Sequence, residues 1–134
     1  MSTGPIEGAD YSTIQIVHRP HLVIATLSSD VLFALGSSEL QPGAQTALRQ
    51  LLPLVSHASD GTVDGYTDTT GNEAINGPLS RARAATVANW LVQHARLPST
   101  RFQVHGFGSA DPVAPNGPAG QPLNRRVVIT IQQG

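Results

Sequence analysis

The sequence predicts a two-layer α/β domain, an α+β sandwich in which two main helices cover one face of a mixed sheet. Three observations lead there. Stretches rich in β-branched residues alternate with stretches whose apolar residues recur at helical spacing, in the order β(β)-α-β-α-β-loop-β. Only two helical stretches are present, too few to cover both faces of a sheet. And 134 residues with 40% hydrophobic and 13% charged content build one core but not two.

Residues 1–12 are small and polar and read as a flexible lead-in, with 13–134 as the domain. The stretch TIQIVHRPHLVIATLSSDVLFALG (13–36) reads as one or two strands. A break is expected at His18-Arg19-Pro20-His21, because Pro20 cannot donate to a ladder. Val31-Leu32-Phe33 then continue the extended chain toward Gly36. From Pro42 the pattern becomes helical, with Ala44, Ala47, Leu48, Leu51, Leu52, Val55 and Ala58 in one stripe. Pro53 is expected to kink that helix or end it early.

A short strand follows at Thr62–Thr67, with Val63 and Gly65 on one face and Asp64 and Tyr66 on the other. Asn76-Gly77-Pro78 offers a cap and a first-turn proline for the second helix, which runs to about Arg96 and stops at Leu97-Pro98. A strand at Arg101–Phe107, a Gly/Pro-rich loop from Gly108 to Leu123 and a last strand, NRRVVITIQ (124–132), complete the chain. There is no internal repeat.

Composition excludes several function classes. A net charge of −1, with eight arginines and no lysine, gives no nonspecific grip on nucleic acid or anionic lipid. The absence of cysteine removes disulfides, thiolate catalysis and cysteine-bound zinc. Histidines 18, 21, 57, 94 and 105 show no metal spacing, and Ser37, Ser38 and Ser80 lack a nucleophile-elbow context. Neither enzyme chemistry nor a cofactor is indicated. The longest apolar run near the start is Leu22–Ala25, far short of a signal peptide or membrane span. An extracytoplasmic role therefore implies a piece of a longer exported protein whose membrane anchor lies elsewhere.

The stretch GYTDTTG (65–71) places Asp68 at the end of a strand, opening a loop into a helix. Open α/β sheets meet their ligands there. The plain alternative is a carboxylate that accepts N–H bonds within its own turn. Arg81 and Arg83 fall in the expected first turns of the second helix, where the dipole disfavours cations. On a helical wheel they border the stripe of Ala84, Val87, Ala88, Leu91 and Ala95 from opposite sides, so periodicity does not choose between them. An Asp–Arg pair here is either a loop-to-helix salt bridge or a split clamp. In the clamp the carboxylate takes an ammonium, while the guanidinium and helix N–H groups take a carboxylate.

Five segments in order resemble the OmpA-like peptidoglycan-binding domain of outer-membrane proteins, lipoproteins and flagellar stator subunits. They are VLFALGSSEL (31–40), VDGYTDTTG (63–71), NGPLSRARAATVANWL (76–91), GFGSADPVAPN (106–116) and NRRV (124–127). The resemblance implies a noncatalytic module that binds diaminopimelate of the peptidoglycan stem peptide at the cell envelope, on its periplasmic side. It names Asp68 and Arg83 as the clamp, which decides between the two helix arginines. It further implies Thr67 and Asn76 as polar lining, and Leu79 and Ser80 at the helix start. Asn124 with Arg125 and Arg126 forms the last motif, one of the two arginines reaching the site and the other on the surface. Phe33 with Gly36–Ser38 forms the opposite wall.

Tyr66 stands where the family has histidine, Ala34 where an acidic residue often follows the phenylalanine, and Gln121 within an altered last loop. Alternatives of other classes are a protein-interaction module that keeps the fold without wall binding, and a hydrolase pairing Asp68 with His105.

Overall fold

Alternating apolar residues build the first hairpin of the sheet. In the computed structural model, which describes residues 14–34, 36–56, 58–67, 73–109 and 124–133, β1 (Ile14–His18) and β2 (Leu22–Ser28) pair antiparallel. Pro20 falls in the connecting turn, as its missing donor requires. Along β2, Val23, Ala25 and Leu27 are buried while the residues between them are half-buried. That is the signature of a sheet covered on one face.

The remaining strands are β3 (Ala58–Tyr66), β4 (Phe102–Gly106) and β5 (Arg126–Gln133). The sheet order is β1-β2-β5-β3-β4, with β3 parallel to β4 and every other pair antiparallel. Val63, Val127, Ile129 and Ile131 continue the buried face, so the expected split of Val63 and Gly65 from Asp64 and Tyr66 holds. Each of these aliphatic side chains contributes about 1.5–3 kcal/mol by leaving water.

The helical layer differs from the sequence expectation in three places. Val31 and Leu32 are not strand but belong to a single turn, α1 (Ser29–Leu32), whose cap is Ser28 with Oγ accepting from the Asp30 N–H at 3.2 Å. Local capping by Ser28 outweighs the β-branched run. The first long helix is two short ones, α2 (Ala44–Arg49) and α3 (Leu52–Val55), with Pro53 in the first turn of α3. The break that Pro53 was expected to cause thus comes ahead of it, and Ala58 already belongs to β3.

The third difference concerns α4 (Glu73–Ala95). It begins before Asn76, which is therefore not a cap, and Pro78 lies inside the helix. Arg81 and Arg83 stand more than two turns in, beyond the reach of the dipole's positive end, so the electrostatic cost expected for them disappears. The C-terminus closes near Arg96 as expected. Arg96 takes φ +58° and the Leu97 N–H donates to the Val92 carbonyl at 2.9 Å, which satisfies an end carbonyl of the helix. No helix among the described residues is long and apolar enough to cross a membrane.

Two paired glycines set how close α4 lies to the sheet. Gly65 stands opposite Gly106 across β3 and β4. A Cβ on Gly65 would collide with the Ser80 carbonyl, and one on Gly106 with the Arg81 backbone. Only glycine lets Ser80 and Arg81 sit directly on the strand ends.

Candidate functional site

On the buried face of α4, Asn76, Ser80, Arg83 and Val87 recur at helical spacing, and all four are buried. Ser80 ties the helix to the sheet. Its hydroxyl donates to the Gly77 carbonyl at 2.7 Å and accepts from the Gly108 N–H at 3.1 Å. The Thr67 N–H in turn donates to the Gly108 carbonyl at 2.6 Å. The exits of β3 and β4 and the first half of α4 therefore meet around Thr67, Ser80 and Gly108. Thr67 is 6% exposed, and its Oγ1 has no hydrogen-bond partner among the described residues.

Arg83 is 5% exposed and faces the segment that follows α1. Its Nε donates to the Ser37 carbonyl at 2.8 Å and its Nη2 to the Ala34 carbonyl at 3.3 Å. Its guanidinium carbon lies 5.2 Å from the centroid of the buried Phe33 ring. One turn further, Thr86 Oγ1 donates to the Ser38 carbonyl at 2.8 Å. Gly36, at φ +71°, supplies the left-handed turn that bends this segment back toward the helix. Phe33, Ala34 and Ser37 thus pack directly against Arg83, through a ring and through backbone carbonyls that a motif does not display.

Arg81, two residues away, is exposed and donates from Nη1 to the Val104 carbonyl at 3.0 Å. Tertiary packing separates the two arginines that the helical wheel could not.

Among the described residues no carboxylate lies within ion-pair distance of Arg83. Burial pushes its guanidinium below the ordinary value. Asp30 pulls the other way, and the nearby positive charge of Arg125 adds to the depression. Arginine stays charged in spite of this, so the site holds a partly desolvated cation that a ligand anion would satisfy. Nη1 has no hydrogen-bond partner among the described residues.

The adjacent Arg125 and Arg126 diverge. Arg125 forms a two-pronged pair with Asp30, Nε to Oδ1 at 2.8 Å and Nη2 to Oδ2 at 2.7 Å, on the Arg83 side. Arg126 points to the other face of the sheet, with its guanidinium carbon 3.9 Å from the centroid of the Tyr66 ring. It is buried rather than on the surface, and its Nη1 donates to the carbonyl of the fully buried Asn124 at 3.2 Å. Asp30 and Thr86 went unnoticed in the sequence. The S-S-D capping pattern could have flagged Asp30, whereas nothing local marks Thr86. Asp68 and Gln121 lie outside the described residues. The imidazole of His105, considered above as a partner for Asp68, has its Nδ1 2.9 Å from Asp64 Oδ1.

Comparison with known proteins agrees with this architecture. Outer membrane protein A of Serratia odorifera is 44% identical over 92 residues, which is 66% of this chain and 37% of that protein. Its counterpart in Klebsiella aerogenes is 41% identical over 95 residues, 68% of this chain and 27% of that protein. The chain therefore spans about a third of the length of these relatives or less. Among solved structures, the cell wall anchor of the T6SS from Pseudomonas aeruginosa superposes with a TM-score of 0.82 at 27% identity, covering 90% of this chain and 88% of that one. A putative MotB like protein from Desulfovibrio vulgaris gives 0.78 at 27% identity, covering 97% and 82%. The model of the OmpA family matches residues 32–126, well over half of the chain, and the chain belongs to that family.

Proposed function

We propose that this chain is a noncatalytic module that binds bacterial peptidoglycan through the diaminopimelate residue of the stem peptide. It thereby anchors a larger envelope protein to the wall from the periplasmic side. The observation that carries this reading is Arg83: a buried guanidinium held rigid by two loop carbonyls and an aromatic ring, with no carboxylate in reach among the described residues. Arg83 takes the carboxylate of the free amino-acid centre. Asp68, following Thr67, takes its ammonium, and the buried Thr67 hydroxyl and Asn76 line the same pocket. The relatedness to a cell wall anchor supports the same reading.

Of the final pair, Arg125 is the arginine assigned to the site, because it shares the Arg83 side. Each charge-assisted bond contributes about 1.5–3 kcal/mol, so a two-point clamp is weak alone. Repeated sites on a polymer beside a tethered protein make weak contacts sufficient.

The test is cosedimentation with purified sacculi, paired with an NMR titration using diaminopimelate isomers. Wild type pellets with the sacculi, while Asp68→Ala and Arg83→Lys stay in the supernatant. Lysine keeps the charge but not the planar fork. Wild type remaining in the supernatant, with no response to diaminopimelate, would sink the reading. Concentration-dependent self-association in that case would favour a protein-interaction module.

A further inference from the structure

The stem-peptide reading leaves unused a row of side chains on the outer face of the sheet, at the C-terminal ends of β3 and β4. Asp64 of β3 stands opposite His105 of β4, and Tyr66 opposite Arg126 of β5. The Phe107 ring centroid lies 5.3 Å from that of Tyr66 and 5.7 Å from that of His105, both at 28°. Tyr66 already carries the Arg126 guanidinium. Phe107 is the open ring, 43% exposed although it follows a strand in a folded sheet. At the rim, the Nδ1–H of His105 donates to Asp64 Oδ1 at 2.9 Å. That bond leaves His105 Nε2 and Asp64 Oδ2 without hydrogen-bond partners among the described residues.

We propose that this row is a sugar-binding platform. An N-acetylhexosamine ring of the glycan strand lays its C–H face on Phe107 and directs hydroxyl and acetamido N–H donors to Asp64 Oδ2 and His105 Nε2. An apolar surface with a few placed polar groups at its edge is the general form of a small-ligand site. A sugar ring, apolar on one face and ringed by donors, matches both parts. Nucleotides and other phosphates are disfavoured by the Asp64 carboxylate. A purely apolar side chain would bury the rim acceptors without satisfying them.

The platform segment is also hydrogen-bonded to the strand end that carries Thr67. The Phe107 N–H donates to the Gly65 carbonyl at 2.9 Å, and the Thr67 N–H to the Gly108 carbonyl at 2.6 Å, so both neighbours of Tyr66 are laced to the platform segment. The platform rests on the peptidoglycan reading, because the glycan is what the stem peptide is joined to.

The experiment compares affinities of the full chain for a disaccharide-linked stem peptide and for the same peptide without sugar. Wild type is expected to favour the sugar-linked ligand by about three- to tenfold, the factor that one ring-stacking contact supplies. Phe107→Ala should erase this preference while leaving the sugar-free affinity unchanged, and Phe107→Trp should keep it. Equal wild-type affinity for both ligands would overturn the platform and leave the peptide site standing. Equal loss of both ligands in Phe107→Ala would also overturn it, by making Phe107 a mere support of the peptide site. Failure of wild type to bind either ligand removes the peptidoglycan reading and the platform together.

Discussion

Arg83 on one side of the sheet end and Asp64 on the other are held in opposite ways. On the helix side, Arg83 is buried against Phe33 with backbone carbonyls for company, and no carboxylate reaches it among the described residues. On the outer side, the half-exposed His105 has Asp64 at 2.9 Å, and Arg126 lies on the Tyr66 ring. A charge that is desolvated without an opposite partner costs stability, whereas a hydrogen bond made near the surface contributes about 0.5–1.5 kcal/mol. The helix side therefore carries a desolvated charge at a cost in stability, while on the outer side Phe107 is left exposed beside the hydrogen-bonded Asp64 and His105.

The helix side depends on α4 lying directly on the strand ends, so the largest effect is expected from Gly65→Ala. Its new Cβ meets the Ser80 backbone, which cannot swing away. A loss of about 3 kcal/mol is expected, or roughly 10 °C in the melting temperature, read by calorimetry. An unchanged melting temperature would mean that α4 stands further from the sheet. Next comes Arg83→Met, which keeps apolar contact with Phe33 but removes the charge. Sacculus binding should fall about tenfold or more through loss of the charge-assisted bonds, while stability stays within about 1 kcal/mol. The relief of desolvation and the loss of two carbonyl bonds oppose each other, and a collapse in stability would recast Arg83 as a structural loop clamp.

Asp30→Ala frees Arg125 from its two-pronged pair. The pair is partly exposed, so about 0–1 kcal/mol of stability is at stake, shrinking further in high salt. A larger loss that persists in salt would place Asp30 with the core rather than at the rim. The smallest effect belongs to Arg81→Ala, an exposed neighbour of the same type on the same helix. Stability within about 0.5 kcal/mol and full sacculus binding are expected. Lost binding would erase the distinction between the two arginines.

Much of the fold was legible because its signals are local. Pro20 between two β-branched runs, the alternation along β2 and the stripe of Ala84, Val87, Ala88 and Leu91 each follow from the steric and periodic rules of a few adjacent residues. Errors fell where two local signals competed. Ser28 capped a helical turn inside an apparent strand, and α4 began ahead of its apparent cap at Asn76. The candidate site was legible only in part. The resemblance named Arg83, but neither the carbonyls of Ala34 and Ser37 that hold it nor the Thr86 bond leaves a mark on sequence spacing.

By itself, the sequence determined the order of elements, the covered face of the sheet, and the exclusion of thiol and polycation chemistry. Only the tertiary structure decided that Arg83 is buried and Arg81 exposed, and that Arg125 and Arg126 part to opposite sides. The reason is physical. Residues two apart on a helix flank the same stripe, and adjacent residues at a strand end differ only in which face they take. What separates them is what packs against each face, and those partners are Phe33, Ala34, Ser37, Asp30 and Tyr66, dozens of positions away in the chain.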